Sequence, residues 1–311
     1  MKIVVTGALG HIGSRLVRHL PDHFPGAEIV LVDDMSTQRY PALFDLPASG
    51  RYRFIEGDVT RLDLAPLLAG AAAVVQLAAI TDATRSFDRK DEVEQNNFHA
   101  TRQIAEACLK AGVPLIHPSS TSVYGTQNEV VDEECGPDEL APQSPYAECK
   151  LKEEALLAEM GKSGLRFITC RFGTIFGTSP GMRFHTAVNK FCWQAVMGLP
   201  LTVWTTAYDQ KRPYLDLGDC VRAVAHIIGT GLFDGRIHNV LTANCTVRQI
   251  VDAIRVHVPD LEVGFVDARI MNQLSYEVAN QRFRSSGFEF QGSVAAGIED
   301  TIRLLRGANR S

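Results

Sequence analysis

Apolar residues run along this chain in short blocks that alternate with segments of helical spacing. KIVVTG, from Lys2, is an apolar run closed by glycine and predicts a buried strand. HIGSRLVRHL follows, with Ile12, Leu16, Val17 and Leu20 at helical spacing. AEIVLVDD predicts a second buried strand ending in acids, YRFIEGDV a third and AAAVVQLAA a fourth. DEVEQNNFHATRQIAEACLKAG reads as a long helix stopped at Gly112, and VPLIHPSS as a fifth strand. SPYAECKLKEEALLAEMGKSG reads as a second long helix, ended by Gly161 and Gly164, before a sixth strand, LRFITCRFG. Strand and helix alternate throughout, which predicts an α/β fold: a parallel sheet covered on both faces.

After about Phe176 the rhythm changes. GTSPGMRFHT is turn-rich, then come a helix over about Ala187–Met197, a short LTVW strand and a strand–helix unit, KRPYLDLGDCVRAVAHII. IHNVLT, a helix from about Val247 and a final amphipathic helix, AAGIEDTIRLLRG, complete a smaller C-terminal lobe interleaved with the last sheet strands.

Composition narrows the class. The 311 residues are 45% hydrophobic and 22% charged, enough for a large core, and the net charge is −5. Neither the charge nor any basic run suggests nucleic acid, and no apolar stretch reaches membrane-spanning length. The N-terminus reads as a strand that begins the fold at once, without the pattern of a signal peptide. Seven cysteines lie scattered with no Cys-x-x-Cys pair and no nearby histidine cluster. Free thiols in a reducing cytoplasm are the expectation, with no metal site.

TGALGHIG places Gly7, Gly10 and Gly13 between the first strand and first helix. Glycine there permits a tight turn, close approach of backbone to a pyrophosphate, and tight helix–strand packing; the helix N-terminus then faces the phosphates. A glycine triplet alone is a weak signal, but strand, helix and a second strand ending in acid surround this one. Asp33, at that strand's end, can accept from both ribose hydroxyls of adenosine and would repel a 2′-phosphate, which favours NAD over NADP. Asp34 is the competing candidate at a shift of one residue. Asp58 and Val59 could border the adenine; Asp58 reads equally as a cap before TRLDLAPLL.

Tyr146 and Lys150 lie one helical turn apart on one face. A phenol with a pKa near ~10 is a poor base at neutral pH. An ammonium on the same face favours the phenolate, so Lys150 is expected to hold Tyr146 ionised. PSSTSVYG supplies Ser119, Ser120, Thr121 and Ser122 past the fifth strand, at the sheet edge where ligands bind in such folds. One of these hydroxyls could orient a substrate oxygen; alone, the run reads as an ordinary polar loop.

TGALGHIG, VDD, QLAA, EQNNFHAT, PSSTSVYG, SPYAECKLKEE and KRPYLDLGD together, in order over residues 1 to about 220, resemble the extended short-chain dehydrogenase/reductase superfamily. Within it, the sequence is similar to the NAD-dependent nucleotide-sugar epimerase/dehydratase family. The resemblance implies a Rossmann-type doubly wound parallel sheet with a smaller C-terminal substrate-binding lobe. Residues 1–175 would form the NAD-binding domain, with some later segments returning to it, and residues 176–311 mainly the substrate lobe. It implies Tyr146 as catalytic base, Lys150 as its partner and Ser120 as the catalytic hydroxyl. Cofactor contacts would come from Gly7, Gly10, His11, Ile12, Gly13, Asp33 or Asp34, Asp58, Val59, Leu77, Ala78, Ala79, Asn97, Tyr146, Lys150 and Phe172. Substrate contacts would come from Ser120, Thr121, Ser122, Tyr146, Thr174, Arg183, Arg212, Tyr214 and Arg269. A homodimer formed through the helices over 91–111 and 144–161 is the family's usual assembly.

The same resemblance separates the reactions. Family dehydratases usually carry Asp and Glu after the catalytic hydroxyl, and decarboxylases commonly a Glu at the second position; here Thr121 and Ser122 stand there. A hydroxyl does not readily do that acid/base work. The related 4-ketosugar reductases mostly use NADP, against which Asp33 argues. Epimerisation at carbon 4 of a nucleotide sugar, expected to be UDP-linked, through a transient 4-keto intermediate is therefore the expectation, with tightly held NAD. A related oxidoreductase with net hydride transfer is the alternative. A non-catalytic cofactor-binding regulator would have no need of Tyr146, Lys150 and Ser120. Departures from the family pattern fall where substrate would bind: Thr174 for an asparagine, Gln76 where histidine is common, and RIMN, which keeps Arg269 but has Asn272 for an aspartate. Arg183 either supplies a cation there or faces solvent as a loop arginine.

Overall fold

The computed structural model describes residues 1–81, 90–125, 130–184, 186–267 and 276–308. The chain runs β1 (Lys2–Thr6), α1 (His11–His23), β2 (Glu28–Asp33), β3 (Arg51–Glu56), α2 (Ala65–Leu68), β4 (Ala73–Gln76), α3 (Lys90–Ala111), β5 (Leu115–Ser120), β6 (Val130–Val131), α4 (Pro145–Lys162) and β7 (Phe167–Phe172). It continues through β8 (Thr174–Phe176), α5 (Ala187–Val196), β9 (Leu201–Trp204), β10 (Lys211–Asp216), α6 (Leu217–Thr230), β11 (Ile237–Val240) and β12 (Ala243–Thr246). Then come α7 (Val247–Arg255), β13 (Val263–Val266), β14 (Glu277–Val278), α8 (Gln281–Arg284) and α9 (Val294–Leu305).

Seven strands form one sheet in the order β11-β7-β5-β4-β1-β2-β3. Every neighbouring pair in it is parallel. The alternation along β1 and β2 explains why both faces are covered. Ile3, Val5, Ile29 and Leu31 pack with Leu16 and Leu20 of α1 and Val224 and Ile227 of α6. Val4, Val30 and Val32 point the other way, onto Ile104 and Cys108 of α3 and Leu157 of α4. Each such fully buried aliphatic side chain contributes roughly 1.5–3 kcal/mol. The strand order reverses between β1 and β4, and a sheet of this kind offers a ligand crevice beyond the carboxyl ends of those strands.

The IHNVLT strand returns to this sheet as its edge strand β11, beside β7. Between β7 and β8 the chain leaves the large sheet at Gly173, where a Cβ would lie 3.1 Å from the Pro213 backbone. β8 then pairs with β10, and β10 with β12, in a separate three-stranded sheet. Phe176, Phe191, Leu201, Tyr214, Ile250 and Ile298 belong to the core of that C-terminal lobe. Among the described residues no helix is long and apolar enough to cross a membrane, and no His, Cys, Asp and Glu cluster could hold a metal ion. All seven cysteines are free.

Candidate functional site

The glycine loop is shaped by contacts that only glycine tolerates. Gly7 has φ +60°, and a Cβ on it would meet the Leu77 carbonyl at 2.5 Å and Ala78 N at 2.6 Å. A Cβ on Gly13 would lie 2.4 Å from the Gly7 carbonyl oxygen. Gly10 stands at the N-cap of α1, and no side chain caps that terminus. The first N–H groups of the helix therefore carry no side-chain cap and no acid stands in its first turn, an arrangement suited to a pyrophosphate.

Backbone geometry separates Asp33 from Asp34. Asp33 Oδ2 accepts from Leu9 N at 3.0 Å and Oδ1 from Met35 N at 3.1 Å, which turns its carboxylate toward the glycine loop. Burial pushes this carboxyl up, and the two N–H groups pull it back. Asp34 is exposed and binds Ser36. Asp58 accepts from Thr60 N and Oγ1 and pairs with Arg61 at 3.5 Å, while Val59 is buried in the core. Asp58 thus does the turn-capping work that its sequence context also suggested.

Polar bonds fix the crevice floor. Thr6 Oγ1 donates to Gln76 Oε1 and accepts from Leu77 N, joining the ends of β1 and β4. Asn97, 1% exposed on α3, bonds both the N–H and the carbonyl of Ile80, at 2.8 and 2.9 Å. These bonds hold the Leu77–Ala79 segment against the glycine loop. Gln76, where the family commonly has histidine, is here part of that brace.

A contact that sequence reasoning missed closes the other wall. Ser179 Oγ donates to the His11 carbonyl at 2.8 Å, and Gly181 N donates to Ser14 Oγ at 2.9 Å. A Cβ on Gly181 would lie 2.0 Å from the Leu9 carbonyl oxygen, so this turn sits directly on the glycine loop. His11 Nε2 is 2.9 Å from the Gly177 carbonyl, and burial pushes its ring down to about 4. Ile12 is half-buried beside it, and Phe172 closes the end of β7 within the core. Arg183, at the end of the turn, reaches Thr81 Oγ1 past the end of β4, so it spans the crevice edge.

Helix α4 starts where its sequence says it should. Ser144 Oγ accepts from Ala147 N at 3.2 Å, and Pro145 takes the first turn, where its missing N–H costs nothing. Tyr146 is half-buried in that turn, and Lys150 Nζ stands 5.7 Å from the centroid of its ring. Lys150 is 4% exposed and donates to Glu153 at 2.8 Å. Burial pushes Tyr146 above its ordinary value; Lys150 pulls it back, and Glu153 opposes Lys150.

Facing α4, Ser120 ends β5 and caps the turn Thr121–Tyr124, accepting from Ser122 N at 3.2 Å. Its Oγ lies 2.9 Å from Ser122 Oγ. Thr121 is buried and bonds the Phe172 carbonyl at 3.3 Å and Tyr276 Oη at 3.4 Å. Thr174 opens β8, in register with Tyr214 of β10. Arg212 is half-buried on β10, whereas Tyr214, expected at the substrate, is 1% exposed within the lobe's core. Arg269 and Asn272 lie outside the described residues.

This geometry can be set beside known proteins. Residues 3–240 match the model of the NAD dependent epimerase/dehydratase family. Over 96% of its length the chain is 28% identical to an Arabidopsis thaliana trifunctional UDP-glucose 4,6-dehydratase/UDP-4-keto-6-deoxy-D-glucose 3,5-epimerase/UDP-4-keto-L-rhamnose-reductase, of which it covers 46%. The chain thus spans about half the length of such plant relatives. A UDP-glucose 4-epimerase of Mycolicibacterium smegmatis is 30% identical, with 98% of this chain and 99% of the relative covered. Among solved structures, a Bacillus cereus UDP-glucuronic acid 4-epimerase in complex with UDP-glucuronic acid and NAD superposes with a TM-score of 0.88. It is 25% identical, with 99% of this chain and all of that one covered.

Proposed function

The chain belongs to the NAD-dependent epimerase/dehydratase family, and from that premise we propose that it is an NAD-dependent nucleotide-sugar epimerase inverting carbon 4. The observation that carries the choice of reaction is the turn after β5. Thr121 is committed to the Phe172 carbonyl and Tyr276, and Ser122 to Ser120, so neither place holds a carboxyl group for removing water. The relatives named for UDP-sugars support a UDP-linked substrate.

The residues present fit NAD. The cradle of Gly7, Gly10 and Gly13 leaves no room for a Cβ at two of its positions, the N-terminus of α1 is open, and Asp33 stands ready for ribose hydroxyls. When bound, NAD supplies a reversible hydride acceptor. His11 and Ile12, Asp58 and Val59, Leu77, Ala78 and Ala79, Asn97 and Phe172 would border or brace it. The chain's own part is proton handling and orientation. Tyr146 Oη takes the proton of the 4-hydroxyl and later returns one, Ser120 Oγ orients that oxygen, and Lys150 steadies the charge on the phenol. Thr174, Arg183 and Arg212 would meet the nucleotide and sugar. Two copies would pair through α3 and α4. Seven unpaired cysteines support a reducing compartment such as the cytoplasm.

The test is incubation of the purified protein with a panel of UDP-sugars, including UDP-glucose and UDP-glucuronic acid. The expected outcome is a mixture of 4-epimers without accumulated NADH; steady NADH production would replace this reading with net oxidoreduction. Tyr146→Phe should lower turnover by about 10²–10⁴-fold while NAD stays bound. Survival of activity would remove Tyr146 as the base.

A further inference from the structure

Behind Tyr146 lies a buried carboxylate that proton transfer does not itself require. Glu153 is fully buried, and its Oε2 accepts from Lys150 Nζ at 2.8 Å and lies 3.1 Å from Nε2 of His117 on β5. His117 is itself fully buried, and Cys149 Sγ approaches Oε1 at 3.5 Å. Glu153 thus stands between the lysine of α4, which it bonds, and the strand beneath, which His117 brings within 3.1 Å. A carboxylate is costly to bury and persists only with partners of this kind.

The charged and titratable neighbours can be named. On α4, Glu153 faces Tyr146, Cys149 and Lys150; from β5 it faces His117. Glu154, next along the helix, is held by Ser119 and Arg171. Glu94, on the neighbouring α3, pairs with Lys152 at the surface. Burial pushes the Cys149 thiol up to about 12 and pushes the His117 ring down, so both are neutral near pH 7. The formal charges behind the phenol are then one ammonium and one carboxylate.

Resting on the reading of Tyr146 as the base, we propose that Glu153 is a positioning residue: it anchors Lys150 against β5 and takes away part of the ammonium's pull on the phenolic oxygen. Lys150 then serves Tyr146 with a damped field. The damping works against the phenolate. Glu153 sets where on the pH scale the base becomes available. A purely structural carboxylate would alter stability and leave that point unmoved.

Tyr146's own ionisation is the direct test, because it is read without turnover. Tyrosinate ultraviolet absorbance is followed against pH in NAD-loaded protein, subtracting the same protein carrying Tyr146→Phe. In Glu153→Gln, Tyr146 should titrate about half to one pH unit lower than in the parent. Glu153→Asp keeps the charge but withdraws it by one methylene, and should shift the titration the same way by less. Should the Gln variant fail to fold, the Asp variant alone decides. Titration at an unchanged or higher pH in the variant that folds overturns the proposal. The acid limb of kcat/KM for UDP-sugar epimerisation should move with Tyr146. A shifted titration in a protein that turns over no UDP-sugar would uphold this inference and remove the epimerase reading.

Discussion

Glu153 and Glu154 are adjacent on α4, both buried, and both face the sheet, yet they meet different partners. Glu154 receives Arg171 through two bonds, Nε at 3.0 Å and Nη2 at 2.7 Å, and Ser119 Oγ at 2.5 Å. Arg171 in turn lies 4.8 Å over the ring of Tyr124, whose hydroxyl donates to Asn239 on β11. That network staples α4, β5, β7 and β11 together and touches neither Tyr146 nor Lys150. Glu153 instead bonds Lys150 and lies 3.1 Å from His117 Nε2, behind Tyr146, the proposed base. Chemically equal side chains one residue apart thus take separate tasks. A planar guanidinium with two parallel bonds fixes the architecture, and a single point charge tunes a phenol.

The largest break in this comparison comes from removing one half of the architectural pair. Glu154→Ala leaves the Arg171 guanidinium buried, and such losses cost about 3–5 kcal/mol. The denaturant midpoint and melting temperature should fall accordingly, while the folded fraction keeps the parent's pH profile. A cost below about 1 kcal/mol would mean that the pair is replaceable by water, and the division of labour would fail.

Acid stability sharpens the contrast. Burial holds His117 below its unfolded value of ~6.5, so the unfolded chain binds a proton that the folded chain refuses. Its contribution is fully present above that value and is lost as pH falls below it. Glu153 is held down at about 2; burial alone would raise it, and Lys150 and His117 outweigh that. Its contribution is complete above the unfolded value of ~4.3 and disappears as pH falls through about 2. His117→Gln should therefore flatten the fall of unfolding free energy between about pH 6.5 and 5 by up to ~1.4 kcal/mol per pH unit. Glu154→Ala should leave that slope alone. Urea denaturation at a series of pH values separates the two.

How much of this was legible in the sequence follows from distance along the chain. The alternating strands, the glycine loop and the Tyr146–Lys150 spacing are local patterns, and the elements carrying them lie where those patterns put them. Asp33 and Asp34 stayed ambiguous because one residue of register separates them. The bond from Leu9 N, across the β1–α1 loop, is what distinguishes them. The closure of Gly181 on the glycine loop depends on the path of a turn that shows no periodicity. Tyr214 read as a substrate neighbour because it lies two residues past Arg212 and shares its strand face; the lobe's core nevertheless takes up its ring. The surroundings of Tyr146 are legible only in part for the same reason. Its lysine is local and visible, but His117 and the burial around Glu153 are not.

The smallest effect belongs to the cap that starts α4. Ser144 Oγ satisfies Ala147 N, and losing such a cap costs about 1 kcal/mol. Ser144→Ala should lower stability by about that amount. Because Tyr146 occupies the freed turn, turnover should also drop, by no more than about tenfold if the whole cap energy reaches the transition state. Glu153 and Glu154 sit two turns further along, where packing rather than the cap holds the helix. Neither the position of the acid slope set by His117 nor the titration of Tyr146 should therefore move by more than about 0.3 pH unit. Larger movement would show that the first turn and the buried carboxylates are one unit, and that the phenol's position, as much as the charge behind it, decides when the base is ready.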